Sequence, residues 1–178
     1  MQYISRYHTP LGRILLACDE LGLTGLWFEQ QKYFARQLDP EHEERDHPHF
    51  DAAKRWLECY FAGRKPDFTP QLHMTGSPFQ LAVWEILCEI PYGSVTTYGG
   101  IAREIARKTA VSRMSAQAVG GAVGHNKLSI IVPCHRVVGS NGSLTGYAGG
   151  IQRKIKLLSL EGVTMDGLSV PERGTALL

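Results

Sequence analysis

A chain of 178 residues has room for one ordinary domain or for two small ones. With 43% hydrophobic and 20% charged residues its composition is globular, which excludes a chain disordered throughout. The formal net charge of +2 hides an asymmetry: residues 1–75 carry 9 basic and 11 acidic side chains, whereas 98–157 carry 9 basic side chains against Glu104 alone.

The first thirty residues contain three β-rich runs, Tyr3 to Tyr7, Arg13 to Cys18 and Leu23 to Phe28. Thr9-Pro10-Leu11-Gly12 and Asp19-Glu20-Leu21-Gly22 break them, which predicts a three-stranded antiparallel meander. The segment 39–49, DPEHEERDHPH, is polar and reads as a loop. Its His42, His47 and His49, interleaved with acids, imitate a metal site, but proline and polarity favour a solvated loop and no metal is expected. Phe50, Ala53, Trp56, Leu57, Tyr60 and Phe61 then recur at helical spacing, with Gly63 as a stop. Pro66, Pro70, Gly76 and Pro78 mark a linker holding one short strand, Asp67 to Met74. A boundary near 75 separates an N-terminal sheet-plus-helix domain, 1–75, from a second domain, 76–178.

The second half reads as helical. Ser77-Pro78 is an N-cap with proline at the first helical position, followed by a stripe of Phe79, Val83, Trp84, Leu87 and Ile90. After the Pro91-Tyr92-Gly93 turn, Thr96 or Thr97 caps a helix through Lys108 that buries Ile101 and Ile105. A polar connector, Thr109 to Arg113, leads to a third helix, Ser115 to about Gly124. This pair is compatible with a helix-turn-helix, and equally with a generic helical hairpin. The third helix, SAQAVGGAVG, is almost free of bulk, and adjacent glycines cost about 1 kcal/mol each relative to alanine. Close approach of its backbone to something else would explain that cost. Residues 149–161 form a last amphipathic helix ended by Gly162. The expected fold is α+β: a small antiparallel-sheet domain, then a mostly helical domain with a helix-turn-helix.

Cys18, Cys59, Cys88 and Cys134 form no CxxC pair, which argues against a disulfide framework or zinc ribbon and for a reducing compartment. The N-terminal MQYISRYHTPLGRILLACDE lacks the pattern of a signal peptide, and no run approaches the ~18 apolar residues of a membrane span. A cytoplasmic, soluble protein is expected. The basic stretch 98–157 suits a polyanion, because each neutralised phosphate releases counterions. A solvated basic face would have the same composition.

The chemistry concentrates in SIIVPCHRVVGSNGSLTGYAGG, residues 129–150. Ile130-Ile131-Val132 reads as a buried strand, and Cys134 follows Pro133 with His135 and Arg136 beside it. Both neighbours can favour a thiolate, the nucleophilic form of cysteine. A buried structural cysteine is the alternative, and it is the assignment for Cys18, Cys59 and Cys88. Arg136 fits an internal ion pair better than a nucleic-acid contact, and Trp84 and Tyr92 fit the core.

PCHRVVG at 133–139, preceded by AVGGAVGHN and followed by GYAGG, resembles the O6-alkylguanine-DNA alkyltransferases, or methylated-DNA–protein-cysteine methyltransferases. The resemblance spans 77–162, including IPYGSVTTYG and LLSLEGV. It implies repair by direct reversal, with Cys134 taking the alkyl group from O6-alkylguanine in double-stranded DNA, in one turnover and without a cofactor. His135 would act as base through a water, oriented by Glu161 as in a triad. Asn126 matches a hinge asparagine, and Tyr98 a tyrosine that donates to guanine N3 beside the rotated phosphate. Tyr147 and Ala148 fall on a loop closing over the guanine, and Ser140 on a phosphate contact. The base must be flipped out to expose O6. A small-residue helix 115–124 would then lie against a minor groove about 6 Å wide. Many members fill the vacated stack with arginine, where this chain has Gln117. Glutamine can bond an orphaned cytosine but lacks charge and stacks less well.

Two rivals remain at this stage. A non-catalytic protein that binds alkylated DNA would need no acceptor, yet Cys134 is present. A Cys-His hydrolase would need an oxyanion hole and turnover. No membrane and no obligatory protein partner are implied.

Overall fold

The computed structural model describes residues 1–171, which form two compact units. The first comprises 1–75 and 127–131; the second comprises 76–126 and the chain from Val132 onward.

In the first unit, strands β1 (Gln2–Thr9), β2 (Gly12–Asp19) and β3 (Gly22–Phe28) form the antiparallel meander. Both turns are set by side chains: Thr9 Oγ1 bonds the backbone at Leu11 and Gly12, and Asp19 Oδ1 accepts from the Leu21 and Gly22 amides. The expected purely antiparallel sheet is corrected by a fourth strand. β4 (His42–Glu44), in the segment read as a loop, pairs parallel with β1 and makes the order β3-β2-β1-β4. Its three side chains are all exposed, so no apolar alternation announces it. Helix α1 (Pro48–Phe61) buries Phe50, Ala53, Trp56, Leu57 and Tyr60, and its N-cap is His47, whose Nδ1 accepts from the His49 amide. The strand expected at Asp67 to Met74 reduces to an isolated bridge, Leu72 with Leu23.

In the second unit, α2 (Pro78–Glu89) begins in a reciprocal capping box between Ser77 and Gln80. A two-residue strand β5 (Thr96–Thr97) precedes α3 (Tyr98–Thr109), and the Thr97 hydroxyl caps that helix through the Gly100 amide. Ala110, at φ 56°, ends α3 in the left-handed conformation, and Ser115 caps α4 (Ala116–Gly124). α4 turns Val119, Ala122 and Val123 inward, and the buried Trp84 of α2 donates from Nε1 to the Ala122 carbonyl at 2.9 Å. Ile130-Ile131-Val132 is buried as expected but is turn rather than strand. A single 3-10 turn, Cys134–Arg136, follows, and then β6 (Val137–Val138), parallel to β5. Helix α5 (Ile151–Leu160) closes the second unit, packing Leu158 on Val138 and Leu144.

Trp84 is the bond that fixes the inner face of α4. Trp84→Phe keeps most of the bulk but leaves a buried carbonyl poorly satisfied. It should lower stability by about 1–3 kcal/mol in a urea titration. An unchanged midpoint would show that side-chain packing alone holds α4.

Candidate active site

Side chains of the second unit converge on the 3-10 turn, and a buried carboxylate organises them. Glu161, the residue capping the C-terminus of α5, is 6% exposed. Its Oε2 meets His135 Nε2 at 2.5 Å, while its Oε1 accepts from Arg136 Nε at 2.8 Å and from the Gly93 amide at 3.0 Å. A carboxylate with these donors is ionised, so Nε2 of His135 carries its proton and Nδ1 is the basic atom of the ring. Burial alone would raise the Glu161 pKa, but the bonds from His135, Arg136 and Gly93 outweigh it and hold the group at about 2.

His135 is fully buried, and burial lowers its pKa below the ordinary imidazole value. Glu161 opposes that shift, whereas the charges of Arg136 and Lys154 reinforce it. The ring is therefore neutral at pH 7. Tyr147 approaches it edge-on, with ring centroids 6.4 Å apart and planes at 75°.

Cys134 is buried too, and loss of water pushes its thiol pKa up. Three influences resist: a hydrogen bond from the Asn126 side chain, the charge of Lys154 and backbone N–H groups of the turn. The Asn126 amide also donates to the Val132 carbonyl at 2.9 Å, tying the end of α4 to the residue two before the cysteine. The site thus holds a neutral thiol at rest, with groups ready to stabilise a thiolate.

The expected site residues are only partly brought together. Cys134, His135, Glu161 and Asn126 form the cluster just described. Tyr98, at the start of α3, donates its hydroxyl to the carbonyls of Thr145 (2.9 Å) and Gly146 (3.3 Å), on the segment that leads to Tyr147 and Ala148. Burial pushes its pKa up to about 12 against the effect of the Thr145 bond, so it is a neutral phenol at pH 7. Tyr147 is buried and Ala148 half-buried, whereas Ser140 is exposed and stands outside the cluster. Gln117 is exposed in the first turn of α4.

Sequence reasoning missed two contributors, Lys154 and the Gly93 amide. Lys154 is fully buried, with Nζ donating to the carbonyls of Val137 (2.5 Å) and Thr145 (2.7 Å), and burial lowers its pKa to about 8. A signal for it was present: Lys154 shares a helical face with Ile151, Leu157 and Leu158. Gly93 contributes only an amide, which no residue type reveals. Arg136 is the internal ion-pair residue expected, and its partner is Glu161; with Lys154 it removes two of the nine basic charges counted in 98–157 from the surface.

Among known proteins, the family model described as the 6-O-methylguanine DNA methyltransferase DNA binding domain matches residues 78–163. The model for the ribonuclease-like domain of the same proteins matches 2–74. A methylated-DNA–protein-cysteine methyltransferase of Methanosarcina acetivorans is 44% identical over 161 residues, covering 90% of this chain and 98% of the relative. One from Haemophilus influenzae is 40% identical over 161 residues, covering 89% and 86%. The crystal structure of Mycobacterium tuberculosis OGT in complex with DNA superposes with a TM-score of 0.76 at 40% identity, covering 89% of this chain and 92% of that one.

Ionisation of Glu161 should be visible in stability. Its folded pKa lies below the unfolded value, so its contribution is complete above about pH 4.5 and is lost as the pH falls toward 2. The urea-midpoint gap between wild type and Glu161→Gln should therefore be wide near pH 6 and narrow near pH 3. A constant gap would show that the charge on this carboxylate adds nothing.

Proposed function

The chain belongs to the methylated-DNA–protein-cysteine methyltransferase family, and we propose that it performs the family's repair of alkylated DNA with Cys134 as the acceptor. The observation that carries this is a buried thiol, served by Asn126 and Lys154, in the same turn as a neutral histidine held by an ionised glutamate. In this reading the thiol proton passes through a water to Nδ1 of His135. Glu161 then balances the imidazolium, and Asn126 and Lys154 balance the thiolate. Sγ attacks the carbon on guanine O6, the S–C bond forms, and the C–O6 bond breaks with its electron pair moving into the purine. Tyr98 gives its proton to N3 and is reprotonated at the expense of the imidazolium. The net change is alkyl to sulfur and the thiol proton to guanine. The thioether leaves no route back, so the protein acts once. O4-alkylthymine offers the same exocyclic carbon–oxygen bond and is a second possible substrate.

A base inside the stack cannot reach a buried sulfur, so the nucleotide is flipped. We assign α3 and α4 to a helix-turn-helix that enters the minor groove. Gln117 would stand in the gap, the loop of Tyr147 and Ala148 would close over the guanine, and Ser140 would contact phosphate. The structure at rest bears on one step: the Tyr98 hydroxyl is engaged by the 145–146 carbonyls, so it must leave them to reach N3. We also propose 1–75 as a separate N-terminal domain and 76–178 as the alkyltransferase domain. No helix among the described residues is long and apolar enough to cross a membrane, and free cysteines at 18, 59, 88 and 134 suit a reducing cytoplasm.

Protein incubated with excess O6-methylguanine duplex should gain one methyl mass, located in the peptide containing Cys134. Methylation at Cys18, Cys59 or Cys88, repeated turnover, or binding without transfer would each overturn the assignment. His135→Ala and Glu161→Gln should slow transfer about 100- to 10,000-fold while DNA affinity changes little.

Gln117→Ala should slow transfer from duplex more than from single strands, where little stacking has to be replaced. Equal rates for wild type and Gln117→Ala on duplex would show that this side chain does not support the flipped state.

A further inference from the structure

Arg136 occupies a position that charge neutralisation alone does not require. Its guanidinium is buried and fixed at three points: Nε on Glu161 Oε1 at 2.8 Å, Nη1 on the Ile90 carbonyl at 2.7 Å, and Cζ over the Tyr92 ring, 5.7 Å from its centre. The Gly93 amide reaches the same Oε1 at 3.0 Å, so residues 90–93 supply an acceptor, a ring and a donor around one ion pair. Gly93 itself sits at φ 79°, and a Cβ there would lie 3.2 Å from the Glu161 carbonyl, so the approach depends on glycine.

The terminal torsion of a glutamate is broad and roughly two-fold. With one oxygen pinned by two donors, only the other is left for His135. We propose that Arg136 is a positioning residue for alkyl transfer: by fixing Oε1 of Glu161, with the Gly93 amide, it dedicates Oε2 to His135 and keeps the imidazole uncharged until the thiol gives up its proton. This rests on the reading of His135 as the base.

A count of charges gives the reason. Arg136 and Glu161 together are neutral, so a third group in the cluster has no charge to balance at rest. Without Arg136 the carboxylate would find its counter-ion in His135, and an imidazole already protonated cannot accept the proton of Cys134. The groups facing His135 are Glu161 and Lys154 from α5, Cys134 and Arg136 in its own turn, and Tyr147 from the following loop. Of these, Arg136 and Lys154 disfavour the imidazolium, and only Arg136 bonds the carboxylate that favours it.

The test is the single-turnover rate of methyl transfer from an O6-methylguanine duplex as a function of pH. For Arg136→Met the acid limb should move upward by about one unit, so the rate falls by up to about tenfold on that limb and changes little near pH 8.5. Arg136→Lys should recover part of the shift, and DNA affinity should stay within about twofold. A uniform loss at every pH, or an unmoved limb, would overturn the proposal by making Arg136 merely structural. Should Arg136→Met fail to fold, the double variant Arg136→Met/Glu161→Gln removes both charges and leaves none uncompensated. In the Glu161→Gln background Arg136→Met should cost no more than about twofold, because Arg136 acts through that carboxylate. A further tenfold loss there would overturn the proposal. If His135→Ala transfers at the wild-type rate, the base reading falls instead; a His135-dependent acid limb that Arg136→Met leaves in place defeats the present proposal alone.

Discussion

A single buried carboxylate ties together three stretches of sequence that are otherwise far apart. Glu161 comes from the end of α5, His135 and Arg136 from the 3-10 turn, and the Gly93 amide from the turn before β5. Burying a carboxylate is unfavourable by several kcal/mol unless its lone pairs are met, and here each oxygen has at least one strong donor. The same bonds that make the charge tolerable also set where the imidazole points. Position and protonation state are therefore one property of the site, because removing a donor changes both.

The thiol side of the site follows opposite logic. Burial holds Cys134 neutral at rest, and the partners that favour its thiolate are a neutral amide, two backbone amides and an ammonium already spent on the carbonyls of Val137 and Thr145. In the proposed transfer of a proton from sulfur to imidazole, two charges appear and each meets a preformed partner: Lys154 and Asn126 for the thiolate, Glu161 for the imidazolium. Such preorganisation needs no reorientation of solvent at the moment of reaction. In the proposed reaction it also keeps the acceptor thiol from being ionised beforehand.

What the sequence disclosed depended on how local the signal was. Helix starts were legible because Ser77-Pro78, Thr97 and Ser115 bond amides within three residues. Cys134, His135 and Glu161 were legible through a motif. The parallel strand β4 was not, since its pairing with β1 is a long-range register with no apolar face to advertise it. Ile130-Ile131-Val132 misled in the other direction: a short apolar run signals burial, but its period cannot separate a strand from a buried turn, and Ile130 takes φ 70°. Lys154 was hidden by its residue type, because lysine on an amphipathic helix is normally placed in water. Here carbonyl groups solvate it instead.

The glycines of α4 have the least internal justification of any residues near the site. A Cβ at Gly121 or Gly124 would meet nothing within 4 Å, and one at Gly120 would only touch the Tyr98 ring, at an ordinary 3.8 Å. Packing within the described residues therefore does not demand them, although each costs helix stability of about 1 kcal/mol relative to alanine. Gln117, Ala118 and Gly121 share the exposed side, opposite the Val119, Ala122 and Val123 side that Trp84 fixes. A helix held firmly on one face and stripped of bulk on the other is suited to let a partner approach its backbone. Asn126, just beyond its C-terminus, carries that placement to the thiol through its bonds to the Val132 carbonyl and Cys134. The proposed groove contact and the proposed acceptor sulfur are thus separated by one short, hydrogen-bonded segment, so what fixes the helix also fixes the distance between them.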